Sequence, residues 1–333
     1  MDKRRISVII PAYNAEKTIG RALASLISSR DYIKEIIVVN DGSTDRTIEN
    51  ISEFFGLLPP IIIINTGKNQ GPGVARRIGI EHASGEWITF LDADDCLTAS
   101  SLKYVAEWWL DSDDERMVLL HTMTIYYESG NFVAKNIEYS DGSCGGNFYK
   151  RQYLLDNKLV PQEYPRLSED EYFNEIVSTF IEHDSDHNVD HYNYPVYEVH
   201  HDDGLSYATS NWKDYLIKCR LEGARMAAEY LPDLITPQQF LNAFAFSLVL
   251  FQGLMQDEDA GLDVKDYADI YNDFRASEQF YIHHFWGKRQ DIISHYKDNW
   301  DNLVVGAYST MGFEYGEMIE IEELFDLIDG KVE

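Results

Sequence analysis

The chain is 333 residues long, 44% apolar and 26% charged, with a net charge of −29. That balance excludes disordered, fibrous and collagen-like classes and leaves a globular protein of one large or two modest domains, at about 100–200 residues per domain. The acidic excess disfavours nonspecific attraction to phosphate backbones or anionic lipid. Cys96, Cys144 and Cys219 are too few and too scattered for a disulfide framework or a paired-cysteine metal site, so a cytoplasmic location is expected. Met1–Arg5 runs directly into the short apolar stretch Ile6–Ile10, without the long apolar core of a leader peptide. Phe240–Met255 is broken by Asn242 and Gln252 and is shorter than the ~20 residues of a membrane-spanning helix. It is read as a buried helix, and no integral membrane association is expected.

In chain order, Ile6–Ile10, Glu35–Asn40, Pro60–Asn65 and Trp87–Leu91 are short β-branched runs bounded by turn residues, which predicts buried strands. Between them, Ala15–Ser28, Asp45–Phe55 and Gly73–Ala83 carry helical spacing. Alternating strand and helix predicts an α/β fold with a mostly parallel sheet covered on both faces. Ligands of such sheets bind at the carboxyl ends of the strands. There the sequence places Tyr13 and Asn14, Asn40 and Asp41, Lys68, and Asp92 to Asp95. Further strands are expected at Met117–Ile125, Phe132–Ile137 and Tyr194–His200, with a helix after Ser168. From Asn211 helical signals dominate, at Trp212–Tyr230, Pro237–Met255 and Val264–Phe285, before the acidic tail Glu314–Asp329. The expected division is 1–207, with halves 1–100 and 101–207, followed by a helical region 208–333.

Four motifs stand in order: Ile6-Ser-Val-Ile-Ile-Pro-Ala-Tyr-Asn14, Ile37-Val-Val-Asn-Asp-Gly-Ser-Thr-Asp45, Asn69-Gln-Gly71 with Ala75-Arg76, and Phe90-Leu-Asp-Ala-Asp-Asp95. Each alone is weak, but in this order the set resembles the family 2 glycosyltransferases of GT-A fold, closely over the first ~100 residues and loosely to about residue 207. The resemblance implies an inverting, nucleotide-sugar-dependent transferase, in most cases using a UDP-sugar, with 1–100 as the nucleotide-binding half and 101–207 as the acceptor-side half of its catalytic domain. It places the nucleotide base at Pro11, Ala12, Tyr13 and Asp41. Asp41 also reads as a plain turn residue, with Ser43 or Thr44 capping the helix that follows. Pro11 is expected to end pairing of its strand and turn the backbone outward.

Asp92-Ala-Asp94 follows an apolar strand. Carboxylates there suit a hard divalent ion bridging diphosphate oxygens, which implies Mn2+ or Mg2+. By resemblance Asp94 is the direct metal ligand, and Asp92 contacts the ribose or shares the metal. Asp95 extends the motif or caps a helix starting near Thr98. Lys68 and Arg76 flank Gly71-Pro-Gly73 at a helix start, a setting that attracts phosphate. Arg77 departs from the Asn usual after the motif arginine.

Inverting transfer needs a base for the acceptor hydroxyl. Ser168-Glu-Asp-Glu-Tyr-Phe173 resembles the family's acidic motif at the head of an acceptor-side helix, which assigns the base to Asp170 with Glu169 beside it. Ser168 with Glu171 is equally a capping box. Tyr197–Ser206 resembles the segment in which a histidine approaches the diphosphate or metal; His200 and His201 are both candidates, and His201 is carried as the ligand. His183, His187 and His191 recur every four residues among aspartates and are read as a solvated polar segment. Trp286-Gly-Lys-Arg289, beside His283 and His284, is read first as helix packing and second as acceptor recognition.

The expected partners are a nucleoside diphosphate sugar and a hydroxyl-bearing acceptor. A bacterial surface glycan or its precursor is favoured, and a hydroxymethylated DNA base is the alternative, to be raised by any basic strip formed from Lys3, Arg4, Arg5, Lys288 and Arg289. A nucleotidyltransferase would need a basic Gly-rich loop near the first strand, and Pro-Ala-Tyr-Asn offers none. A noncatalytic nucleotide-sugar binder would tolerate loss of Asp92, Asp94 and Asp170, and all three are present.

Overall fold

The structure is a computed structural model, and it describes residues 4–99, 101–110, 116–121, 124–128, 131–135, 144–165, 169–184, 188–192, 196–200, 212–256, 264–311 and 319–331. The chain divides into two compact units, one comprising Met1–Tyr164 with Glu169–Leu205, the other Ser206–Glu333 with Pro165–Ser168.

In the first unit the strands are β1 (Ile6–Ala12), β2 (Ile33–Asn40), β3 (Ile61–Asn65), β4 (Trp87–Phe90), β5 (Cys96–Leu97), β6 (Arg116–His121), β7 (Thr124–Glu128), β8 (Asn131–Lys135), β9 (Phe148–Lys150), β10 (Asn188–Tyr192) and β11 (Tyr197–His200). The helices are α1 (Ile19–Ser25), α2 (Thr47–Ser52), α3 (Pro72–His82), α4 (Ser101–Trp108), α5 (Arg151–Asp156) and α6 (Glu169–His183). The main sheet has the order β10-β6-β9-β4-β1-β2-β3. β4, β1, β2 and β3 are parallel, and β9 is antiparallel to both neighbours. This is the α/β, GT-A-like architecture with a mostly parallel sheet and flanking helices.

The Ile/Val runs of β1 and β2 fit because these central strands are covered on both faces: Ile6, Val8, Ile9, Ile10 and Ile36 to Val39 are all fully buried. β3, at the sheet edge, is half exposed. Pro11 does not end the pairing of β1. Register with β2 runs on through Pro11↔Val39 and Ala12↔Asn40, whereas pairing with β4 stops at Ile9↔Phe90. Pro11 lies past the last β4 pair, so its missing N–H costs no ladder bond.

The run Met117–Ile125 is not one strand. β6 joins the main sheet, while β7 belongs to a second sheet of order β5-β11-β7-β8. β5, β9 and β10 carry no run long enough to announce them in the sequence. Ala15–Ser28 shortens to α1 followed by a 3-10 turn at Ile27–Tyr32.

The second unit is helical: α7 (Trp212–Tyr230), α8 (Pro237–Gln256), α9 (Val264–His284), α10 (Arg289–Asp298), α11 (Trp300–Met311) and α12 (Ile321–Ile328). α8 is its hub, packed by α7, α9, α10 and α11. Its polar interruption is satisfied internally: Gln252 Nε2 donates to the Ile319 carbonyl at 2.8 Å, and Tyr296 Oη donates to Gln252 Oε1. Among the described residues, no helix is long and apolar enough to cross a membrane. Part of the acidic tail lies outside the described residues, and the rest turns Ile321, Leu324, Phe325 and Ile328 into the core.

Candidate active site

Three loops meet at the carboxyl ends of β1, β2 and β3. Asn14 sits in a left-handed conformation at φ 50. Its N–H donates to Ser43 Oγ at 3.0 Å, and its Oδ1 accepts the Thr44 N–H at 2.9 Å. These bonds fasten the loop after β1 to the loop after β2. Ser43 and Thr44 are therefore not the helix caps expected of them. Asp45 serves α2 instead, accepting the Thr47 N–H at 3.0 Å and the Thr47 hydroxyl at 2.5 Å.

Asp41 is buried and points across to the loop after β3. Its carboxylate accepts the Thr66 hydroxyl at 2.8 Å, the Gln70 N–H at 2.9 Å and the Gly71 N–H at 2.8 Å. Gly42 follows at φ +80, where a Cβ would lie 2.8 Å from the Lys68 carbonyl carbon, so both conformation and space require glycine. Beside this junction Tyr13 is 39% exposed at the end of β1, and the Lys68 side chain is exposed.

The chemical centre of the site is Arg76, on the second turn of α3. Gly71, at φ 93, turns the chain into that helix and Pro72 opens it. The Arg76 side chain is only 7% exposed. Its guanidinium donates to Asp92 Oδ1 at 2.7 Å, to Glu169 Oε1 at 2.6 Å and to Asp170 Oδ1. The arginine expected to grip phosphate is thus engaged with three carboxylates, two of them from α6 and one from the turn after β4. Burial pushes the Asp170 carboxyl well above the ordinary carboxylate range; Arg76 opposes this, and Glu169 and Asp92 add to it. Asp170 Oδ2 also accepts the Cys144 N–H at 3.1 Å. Ser168 lies outside the described residues; α6 begins at Glu169, with three acids in its first turn, where the helix dipole favours negative charge.

The Asp92 turn is held from behind. The Gly146 N–H donates to the Phe90 carbonyl at 3.2 Å, and the Asp92 N–H donates to Tyr197 Oη at 3.1 Å. Gly145 gives Tyr197 its room, since a Cβ there would lie 2.4 Å from the ring. Arg21 donates to the Asp94 carbonyl at 2.5 Å, which fixes the turn at Asp94, a half-buried residue. Asp95 is buried and does not cap a helix; it accepts the His200 N–H at 2.9 Å. Burial, then Asp92 and Asp94, push its carboxyl up to about 8. This crowding of the hard oxygen donors of Asp92, Asp94 and Asp95 fits a divalent ion such as Mg2+ or Mn2+.

His201 lies outside the described residues. The ring of His200 stacks on Tyr127 at 4.6 Å, and Glu198 is 3.7 Å from its Nε2. His183 ends α6, its Nδ1 2.8 Å from the Thr179 carbonyl, and His191 lies in β10, so the four-residue repeat does not make one helix face. His187 is outside the described residues. Of the basic residues considered for a strip, Arg5 is paired with Glu86 at 2.7 Å, and Arg289 with Glu278 at 2.5 Å and Asp329 at 2.8 Å. Lys3 is outside the described residues. Cys144, Tyr197 and the Glu169 bond to Arg76 could not be found from the sequence, because each acts across a long chain separation with no local signature.

Residues 7–177, just over half the chain, match the family described as Glycosyl transferase family 2. An uncharacterized glycosyltransferase of Haemophilus influenzae is 30% identical over 179 residues, 52% of this chain and 70% of that protein. The minor teichoic acid biosynthesis protein GgaA of Bacillus subtilis is 28% identical over 193 residues, 51% of this chain and 43% of that one, so the chain spans less than half of that relative. In fold, Staphylococcus aureus TarS residues 1–349, solved in complex with UDP-GlcNAc, matches with a TM-score of 0.61 at 20% identity, covering 94% of this chain and 93% of that one. With the ordered motifs, the parallel sheet and this match over residues 7–177 in agreement, the chain belongs to the family 2 glycosyltransferases.

Proposed function

We propose that this glycosyltransferase moves a sugar from a nucleoside diphosphate sugar, a UDP-sugar by preference, to a hydroxyl of a bacterial surface glycan or its precursor, with inversion at the anomeric carbon. The observation that carries the reading is Arg76. One buried guanidinium holds both Asp92 and Asp170, which this reading sets beside the donor and the acceptor. In this reading Pro11, Ala12, Tyr13 and Asp41 frame the base, Lys68 meets the phosphates, and Asp94 with Asp92 would hold Mn2+ or Mg2+. An ion held there would supply charge neutralisation for the diphosphate leaving group. Arg76 positions both carboxylates rather than gripping phosphate itself.

Asp170 accepts the proton of the acceptor hydroxyl while that oxygen bonds to the anomeric carbon and the bond to the diphosphate breaks. Its raised pKa makes it a stronger base than a solvated aspartate. Support for the donor class comes from the TarS complex with UDP-GlcNAc, and for the acceptor class from the teichoic acid role in the name of the Bacillus subtilis relative. A net charge of −29, with Arg5 and Arg289 paired to acids, favours a glycan over DNA. The buried free thiols of Cys96, Cys144 and Cys219 fit a cytoplasmic enzyme.

The test is a calorimetric panel of UDP-, GDP-, CDP- and TDP-sugars with and without Mn2+. Binding of one nucleotide class that depends on the metal is the expected result. Folded protein that binds none of them contradicts the reading.

A further inference from the structure

The second sheet brings together three side chains that the transfer chemistry does not use. β5 and β11 are antiparallel, with Cys96 directly opposite Glu198 and Leu97 opposite Tyr197. Directly opposed residues share a face, as do residues two apart on a strand. Cys96, Glu198 and His200 therefore project from one face of the pair. Tyr197 projects from the other, toward the Asp92 turn. The Cys96 thiol, the Glu198 carboxylate and the His200 imidazole place ligand atoms within 4.8 Å of one another. Glu198 Oε2 and His200 Nε2 are 3.7 Å apart, and their side chains are 22% and 12% exposed, while Cys96 is buried. The Tyr127 ring, 4.6 Å away and only 4° from parallel, fixes the imidazole plane. The Cys96 Sγ otherwise lies 3.9 Å from the Arg21 carbonyl, a weak contact that a stronger ligand displaces.

We propose that Cys96, Glu198 and His200 form a site for a transition-metal ion of the Zn2+ class, on the face of β11 opposite the Asp92 turn. A sulfur, an imidazole nitrogen and a carboxylate oxygen make the mixed donor set that borderline ions select, whereas Mg2+ and Mn2+ select oxygen alone. Three protein ligands leave one tetrahedral position for water. Binding forms a metal–sulfur bond and releases the Cys96 thiol proton to solvent. The site clamps β11 to the short β5 that directly follows Asp92–Asp95. Through the His200 N–H bond to Asp95 it braces the donor-side turn without touching the reacting atoms. The site stands apart from the transfer reaction, because its ligands and its ion differ from those assigned there.

The experiment is titration of the chelator-treated full chain with Co2+ as a spectroscopic stand-in for Zn2+. One equivalent is expected to give the near-ultraviolet thiolate-to-cobalt band and intense visible bands of four-coordinate cobalt, both erased by one equivalent of Zn2+. Cys96→Ala is expected to remove the thiolate band. His200→Ala and the volume-conserving Glu198→Gln are expected to weaken Zn2+ binding by at least about tenfold, since loss of even an outer-shell partner costs about 10–100-fold. Asp94→Ala is expected to leave the cobalt spectrum intact. Absence of the band in folded protein, its survival in Cys96→Ala, or its loss in folded Asp94→Ala each overturns the proposal.

Discussion

Replacing Arg76 by Met tests the centre of the site most severely. The substitution keeps much of the side-chain volume but removes the charge from a position only 7% exposed, leaving Glu169 at 11% and Asp170 at 19% exposure without their cation. Breaking a buried ion pair by deleting one partner costs about 3–5 kcal/mol. Asp92, at 31% exposure, is better hydrated and adds little. At about 2–4 °C per kcal/mol for a body of this size, the first unit should melt roughly 6–20 °C lower. The deficit should also depend on pH. Without Arg76 the folded-state pKa of Asp170 moves up further, and an acid whose folded pKa exceeds its unfolded value weakens folding as pH rises past the unfolded value. The loss should therefore be smaller at about pH 5 than at about pH 8. Arg76→Lys should recover only part of the stability, because one ammonium cannot fork among three carboxylates. Thermal unfolding followed by circular dichroism at both pH values measures this. A deficit below about 1 kcal/mol, or one equal at the two pH values, refutes the reasoning.

Three further outcomes follow from the same geometry. Asp94→Ala should abolish metal-dependent donor binding in calorimetry while leaving the melting temperature within a few degrees, because Asp94 is only half-buried. Gly42→Ala forces a Cβ to 2.8 Å from the Lys68 backbone at φ +80. It should cost about 1–3 kcal/mol and weaken donor binding by disturbing Asp41, and an undisturbed variant would contradict that packing. The transfer rate should rise with pH through a value above the ordinary carboxylate range, because burial raises Asp170 and only its ionised form accepts the proton; a rate that is flat from about pH 5 upward excludes it as the base.

The local parts of this fold were legible in the sequence. β1, β2 and β4 are short β-branched runs ending in turn residues, and α3 opens with Gly71 and Pro72, so both pattern and punctuation agree with the structure. The ordered motifs around these elements pointed to the family that the match over residues 7–177 then established. What failed was non-local. The run Met117–Ile125, rich in apolar and β-branched residues, hid the division between β6 and β7, which enter different sheets. The three residues of β9 gain their place from pairing with β4 and β6 rather than from propensity. The ion pairs of Arg76 were hidden because its neighbours in sequence show only a glycine-bearing helix start. Its partners Glu169 and Asp170 lie 93 and 94 residues away, beyond what spacing can reveal. Cys144 and Tyr197 support Asp170 and Asp92 by the same kind of distant contact.

The most direct measurement compares Asp170→Asn with the unaltered chain, reading donor binding by calorimetry and nucleoside diphosphate release in the presence of a teichoic acid or lipid-linked glycan acceptor. The introduced carboxamide keeps the shape and a bond to Arg76 but cannot take a proton. The account predicts donor affinity within about twofold of the unaltered chain and acceptor-dependent release lower by about 10²–10⁴-fold. Release at the unaltered rate, with donor binding intact, would contradict the assignment of Asp170 as the base on which the mechanism rests.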